Sequence, residues 1–377
     1  MVKSKILFIG SDAFAFVNFR GELRESLSKL NYNIIAILPP CSVEVHLQIK
    51  KLGVNVYYVE INRRRVNIIS DIKYFLKIFI LFKKIKPDII VSFFIKPIVF
   101  GMIASRLVNI PRRIALIEGL GSVYTDKTHS RNITQIYFKY LVNLLYKLSL
   151  YCATDVIFLN EIDRNDFHNF NLLSLSKGLV FGPIGVNLSY WSRESPYPSQ
   201  ITFLMASRLI EEKGVFQFLG ASKLLRKSFP NVRCILAGGV EYGTNAIKVE
   251  QIFKSVNDGD IEWLGHVDIK KWMDSSSVFV LPTYYREGVP RSIQEASAMS
   301  MPVITCNVPG CFDVLIPGLT GFFVNPRDSI DLADKMSKFC LDPNLVSDLG
   351  KNSRLLSEKL FDVSIFNDKF LNLIEHN

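Results

Sequence analysis

Glu287-Gly-Val-Pro-Arg-Ser-Ile-Gln-Glu295 is the stretch on which the reading of this chain turns. Its two carboxylates stand eight positions apart, with Gly288 and Pro290 between them. Residues 277–283 form a short apolar run, which predicts a buried strand. Residues 292–299 have helix-forming composition. Pro290 falls near the first turn, where a missing N–H costs nothing. The motif is therefore strand, loop and helix N-terminus. Glu287 lies on the loop, and Glu295 lies roughly 7 Å further along the helix axis. That separation suits a long ligand better than a single atom. The helix start between the carboxylates brings N–H groups and partial positive charge, a natural seat for phosphate.

Glu287-Gly-Val-Pro290 followed by Glu295 resembles the E-x7-E signature of retaining family 4 glycosyltransferases with the GT-B fold. Residues 296–302, Val303-Ile-Thr-Cys-Asn-Val-Pro-Gly310 and Gly318-Leu-Thr-Gly-Phe-Phe-Val324 continue the pattern. The resemblance implies two Rossmann-like, doubly wound α/β domains facing a cleft. It also implies a nucleotide-sugar donor, a UDP-sugar for preference. Glu287 would hold the sugar hydroxyls and Glu295 the ribose, with Gly288, Val289, Pro290, Gly265 and Gly10 completing the donor site. Ser207-Arg208-Leu-Ile-Glu-Glu-Lys213 follows a predicted strand at residues 201–206. The family assigns Arg208 and Lys213 to the donor diphosphate. Two fixed cations there would stabilise the charge gained by a departing nucleoside diphosphate.

The 377 residues are 49% hydrophobic and 21% charged, enough for two domains with sizeable cores. The six cysteines are scattered without a CxxC pair, as expected of a reduced, cytosolic protein. The N-terminus runs straight into a strand, with no room for a signal peptide. No uncharged apolar run reaches the ~18 residues of a membrane span. Residues 1–190 hold 25 Lys and Arg against 13 Asp and Glu, a net of +12, and the remainder has a net of −2. A basic half suits nucleic acid or an anionic membrane surface.

That basic half alternates short β-branched runs with helical stretches, the pattern of a parallel sheet buried on both faces. The first turn, Gly10-Ser-Asp-Ala-Phe-Ala-Phe-Val-Asn18-Phe-Arg20, lacks G-x-G-x-x-G and is a poor dinucleotide loop. In the family this loop approaches donor diphosphate and acceptor, which makes Asn18 and Arg20 acceptor candidates; a capping turn with a solvated Arg is the other reading. Residues 66–86, preceded by Arg63-Arg-Arg65, interleave five lysines with Ile72, Phe75, Leu76, Phe79, Ile80 and Phe82. This fits an amphipathic helix lying on anionic lipid, and equally a core helix with a solvated lysine face. Residues 135–150 read as a mostly core helix. Phe93-Phe-Ile-Lys96-Pro97 and Glu118-Gly-Leu-Gly121 end two strands, where open α/β sheets bind ligands. Lys96 and Glu118 join the acceptor candidates. This pairing resembles the subgroup that glycosylates polyprenol-diphosphate-linked sugars. The chain departs from the family in having Glu118 and no nearby His, and Asn187 where Asp is usual.

The first domain is set at residues 1–185, a Ser- and Pro-rich linker at 186–200 and the second domain at 201–355. Residues 356–377 are expected to pack back on the first. Asn257-Asp-Gly-Asp260 contains a D-x-D triplet but reads as a turn. No metal and no cofactor are expected.

The chain is thus expected to move a sugar, such as an N-acetylhexosamine, from a nucleotide-sugar to a polyprenol-linked saccharide in surface glycan synthesis. It would work in the cytoplasm, at the inner face of the membrane, with no nucleic-acid partner. One rival is a nucleotide-sugar epimerase of the same fold, which would isomerise donor without an acceptor. Another is a non-catalytic basic module, for which Glu287 would be dispensable and binding would collapse with salt.

Overall fold

The strands are the short β-branched runs, and burial explains their composition. In the computed structural model, which describes residues 4–62, 67–121, 124–125, 133–240 and 246–375, the central strands are buried at nearly every position. Such strands need apolar side chains on both faces. The chain divides into two units, residues 1–182 with 366–377, and residues 183–365.

The first unit holds β1 (Lys5–Ile9), α1 (Ala13–Lys29), β2 (Asn33–Leu38), α2 (Val43–Lys51), β3 (Asn55–Tyr58) and α3 (Ile68–Ile85). It continues with β4 (Ile89–Phe93), α4 (Ile95–Leu107), β5 (Arg112–Ile117), α5 (Ile133–Cys152), β6 (Asp155–Phe158), α6 (Glu161–Asn169) and β7 (Gly178–Val180). Its seven strands run in the order β3-β2-β1-β4-β5-β6-β7, all parallel. The order reverses between β1 and β4, so Gly10 and the Phe93–Phe94 corner flank a topological switch point.

The second unit repeats the plan. It contains β8 (Thr202–Ala206), α7 (Val215–Ser228), β9 (Arg233–Ala237), α8 (Val249–Asn257), β10 (Glu262–Trp263), α9 (Ile269–Asp274) and β11 (Val278–Leu281). Then come α10 (Arg291–Ala298), β12 (Val303–Cys306), β13 (Gly321–Val324), α11 (Ser329–Leu341) and α12 (Asn344–Leu360). The sheet order is β10-β9-β8-β11-β12-β13, again parallel, with the reversal between β8 and β11. The last helix, α13 (Val363–Glu375), begins in this unit and continues in the first. There Asn367 Nδ2 lies 3.5 Å from Ser26 Oγ, and Lys369 Nζ donates to the Phe181 carbonyl at 2.6 Å.

The Ser- and Pro-rich stretch after Asn187 is no free tether. Trp191 is buried, and the Arg193 guanidinium donates to the carbonyls of Met273, Asp274, Ser276 and Met299. Tyr197 Oη donates to the Ser300 carbonyl at 2.7 Å. The segment thereby closes the ends of α9 and α10, whose last carbonyls have no partner within their own helix. Arg193→Ala is expected to destabilise the second unit by about 3 kcal/mol, because several buried carbonyls lose a charged donor. Urea unfolding of the variant checks this, and a loss below about 1 kcal/mol would contradict the assigned role.

Candidate active site

Residues after β8 and β11, on either side of the second switch point, converge on one carboxylate. Lys213 Nζ donates to Glu287 Oε1 at 2.5 Å, with both side chains mostly buried. Thr283 Oγ1 lies 3.3 Å from the same oxygen. Both contacts fall on Oε1, which leaves Oε2 for a ligand hydroxyl. The Tyr285 ring lies beneath two cations, with the Arg208 guanidinium 5.6 Å and the Lys213 ammonium 5.8 Å from its centroid. Arg208 is exposed.

Backbone packing fixes these positions. Gly310 has φ +86°, and a Cβ there would stand 2.3 Å from the Glu287 carbonyl oxygen. Only glycine lets the Val308–Cys311 turn press so closely on the Glu287 loop. Gly214 has φ +80° and meets the Pro282 carbonyl in the same way, which joins the Lys213 turn to the end of β11.

Burial lowers the Lys213 pKa and the nearby Arg208 charge adds to this, while Glu287 opposes it. The neighbouring Cys311 thiol is pushed up to about 12, chiefly by burial, and is no nucleophile at neutral pH.

The second carboxylate, Glu295, is held on α10 by Arg291, whose Nε donates to Oε1 at 3.0 Å while its Nη1 reaches the Gly185 carbonyl at 3.2 Å. Burial raises the Glu295 pKa, against the opposing effect of Arg291. Gln294 accepts from Gly185 N at 2.9 Å and donates to the Val289 carbonyl at 3.2 Å, tying the loop to the helix start. Pro290, the residue just before α10, offers no side-chain cap. Gly288, Val289 and Pro290 are buried beside it. Gly265 sits at the end of β10 with φ +68°, and a Cβ there would meet nothing within 4 Å. The Asp258–Asp260 triplet is the C-terminal turn of α8, where Asp258 pairs with Lys223 at 3.6 Å and Gly259 has φ +74°. Sequence reasoning missed Thr283, Tyr285, Arg291 and Gln294. Of these, the Arg291–Glu295 pair was signalled by its i,i+4 spacing.

In the first unit the structure corrects one acceptor candidate. Arg20 is 0% exposed and ion-paired with Glu118, so it has no surface to offer a ligand and is not solvated. Lys96 Nζ donates to Asp71 on α3 at 2.5 Å, with both side chains mostly buried. Asn18 is exposed and donates to the Phe14 carbonyl. Gly10 is buried, with a Cβ position only 2.2 Å from the Phe93 ring.

Two parallel, doubly wound sheets, each with charged groups near its switch point, are the architecture of the GT-B glycosyltransferases. The chain belongs to that family. Residues 5–160 match the family described as Glycosyl transferase 4-like, and residues 192–356 match Glycosyl transferases group 1. It is 27% identical to the N,N'-diacetylbacillosaminyl-diphospho-undecaprenol alpha-1,3-N-acetylgalactosaminyltransferase of Campylobacter jejuni, over 98% of each chain. It is 28% identical to the capsular polysaccharide biosynthesis glycosyltransferase CapM of Staphylococcus aureus, over 88% of this chain and 89% of that one. Among solved structures, Anabaena Alr3699/HepE in complex with UDP and glucose superposes with a TM-score of 0.77 at 16% identity, covering 100% of both chains.

Glu287→Ala, Lys213→Ala and Arg208→Ala are each expected to lower turnover by about 10²-fold, the scale for removing one charge-stabilising group. Near-normal turnover in a folded Arg208/Lys213 double variant would contradict the assignment. Because the Lys213 pKa is lowered, its cation is lost earlier on raising pH than that of a solvent lysine. Turnover should therefore fall on the alkaline side. Lys213→Arg, which keeps its charge, should remove that fall. An identical alkaline limb in both enzymes would count against the role of Lys213.

Proposed function

We propose that this protein is a retaining, family 4 hexosyltransferase that moves a sugar from a UDP-sugar to a polyprenol-diphosphate-linked saccharide. The observation that carries this reading is the 2.5 Å contact of Lys213 with Glu287. It joins a phosphate-neutralising cation to a carboxylate whose other oxygen has no partner among the described residues, beside the start of α10. A nucleotide-sugar presents the same sequence of chemistry: diphosphate, then sugar hydroxyls. Glu287 holds the hydroxyls, Arg208 and Lys213 hold the diphosphate, and Glu295 accepts from the ribose. The names of the Campylobacter and Staphylococcus relatives support a lipid-linked acceptor and an N-acetylhexosamine donor in surface glycan synthesis.

In this reading the leaving diphosphate is neutralised by Arg208, Lys213 and the helix N-terminus. No metal is required. Turnover should survive excess EDTA when assayed in detergent with a soluble acceptor analogue. Complete loss restored by Mn²⁺, together with an inactive but folded Asp258→Asn/Asp260→Asn variant, would refute it.

A lipid-linked acceptor requires approach to a membrane, and the exposed face of α3 supports such an approach. Its buried stripe is Asp71, Tyr74, Ile78, Phe82 and Ile85. Ile68, Ile69, Ile72, Leu76 and Ile80 are exposed among Lys73, Lys77, Lys83 and Lys84. Arg63-Arg-Arg65, also part of the basic region read from the sequence, lies outside the described residues. The mostly core reading of α5 is corrected as well, because Tyr137, Tyr140, Leu141, Leu144, Leu148 and Tyr151 are exposed. Helices α3 and α5 both pack on α4, within one layer of the first unit. No described helix is long and apolar enough to cross a membrane. The protein should therefore sediment with vesicles containing anionic lipid, and lose that binding when Lys83, Lys84 and Lys86 become Glu. Equal binding to neutral vesicles would contradict anionic docking.

A further inference from the structure

A cavity of about 620 Å³ opens between the carboxyl end of β3 and the first half of α3. Its wall carries charge of both signs. Ser70, Lys73 and Lys77 line it from one face of α3, at the spacing of successive turns. Glu60 lines it from the chain just after β3, and buried Tyr74 contributes to its wall. Glu60, Lys73 and Lys77 are exposed, and among the described residues none of the three has an ion-pair partner. Glu60 therefore stands beyond ion-pair distance of both ammonium groups, although all three border one cavity. The stripe of α3 next to the lysines consists of Ile69, Ile72, Leu76 and Ile80, all exposed.

Opposite charges held apart around a concave site suit a ligand that carries both signs. A diphosphate or a phosphomonoester would set its charge against Glu60 as well as against the lysines. A zwitterion fits without that conflict, its phosphate on the lysines and its ammonium on the carboxylate. If that zwitterion is a lipid headgroup, the adjoining isoleucines and Leu76 meet its acyl chains. We propose that this cavity is a subsite for a lipid headgroup that joins a phosphodiester to a primary ammonium, as phosphatidylethanolamine does. Lys73 and Lys77 hold the phosphate, and Glu60 accepts hydrogen bonds from the ammonium. The quaternary ammonium of phosphatidylcholine has no N–H to give. Headgroup chemistry, beyond net charge, then decides how firmly α3 docks. This rests on the membrane-facing reading of α3 given above.

The test sediments the full-length protein with vesicles of one fixed phosphatidylglycerol content, the remainder being either phosphatidylethanolamine or phosphatidylcholine. The ethanolamine vesicles should bind about tenfold more tightly, the scale of a hydrogen bond to a charged group. Glu60→Gln should bind both kinds alike, and so should Lys73→Gln/Lys77→Gln. Lys83→Gln/Lys84→Gln should weaken both and keep their ratio, because those lysines serve net charge alone. Turnover of Glu60→Gln with a soluble acceptor analogue should equal that of wild type. Equal binding of wild type to the two kinds would overturn the proposal. So would a preference that survives Glu60→Gln, which would belong to the bilayer and not to this cavity. A changed acceptor KM in Glu60→Gln would give the cavity to the acceptor and overturn the headgroup assignment. Displacement by soluble glycerophosphoethanolamine, at a concentration equal to that of the lipid, would mark a soluble ligand and overturn it too. A wild type that binds neither kind would instead overturn the docking of α3, and this subsite with it.

Discussion

A buried cation and a mostly buried carboxylate hold each other in the second unit, and the proposed donor site depends on that contact. Lys213 loses hydration on burial, and Glu287 replaces part of it. Removing either partner would leave a buried charge unpaired, which is far costlier than the pair itself is stabilising. The surrounding backbone keeps the two in place. Gly310 admits the Glu287 loop, Gly214 admits the Lys213 turn, and Gln294 ties the start of α10 to Gly185. Each is a local requirement whose result is the placement of one carboxylate oxygen.

The two units use the same geometry for different chemistry. Each sheet reverses its strand order once, and a charged pair stands at the carboxyl ends of the strands near that reversal. In the second unit the cations Arg208 and Lys213 stand with one carboxylate, an arrangement suited to an anionic ligand with a sugar attached. In the first unit Arg20 and Glu118 pair with each other beneath the surface, at the carboxyl ends of the strands. Parallel α/β sheets gather ligands at such points whatever the chemistry. The side chains decide which ligand.

The sheets were legible because strands buried on both faces must be apolar and β-branched, as Ile89–Phe93 and Val278–Leu281 are. The three-residue β7, which begins at Gly178, carries too short a signal to be seen. The cluster of Arg208, Lys213 and Glu287 was legible as a motif, because each follows a buried strand that the sequence marks. Arg20 was not. A lone arginine on a helix reads as solvated until a partner 98 residues away is brought to it. The stretch from Leu188 to Gln200 misled for a related reason. Its Ser and Pro content signals irregular backbone, whereas its hold on the second unit comes from Trp191, Arg193 and Tyr197. On α5, apolar periodicity identified a helix but could not say which apolar residues face outward.

The central claim is that Glu287 reads the sugar while the cations read the diphosphate. Calorimetric titration of Glu287→Gln with UDP and with a UDP-N-acetylhexosamine separates the two most directly. The account predicts that the extra affinity of the nucleotide-sugar over UDP is lost, whatever change both ligands share from removing the charge opposite Lys213. Equal weakening of both ligands, or retained preference for the nucleotide-sugar, would contradict it.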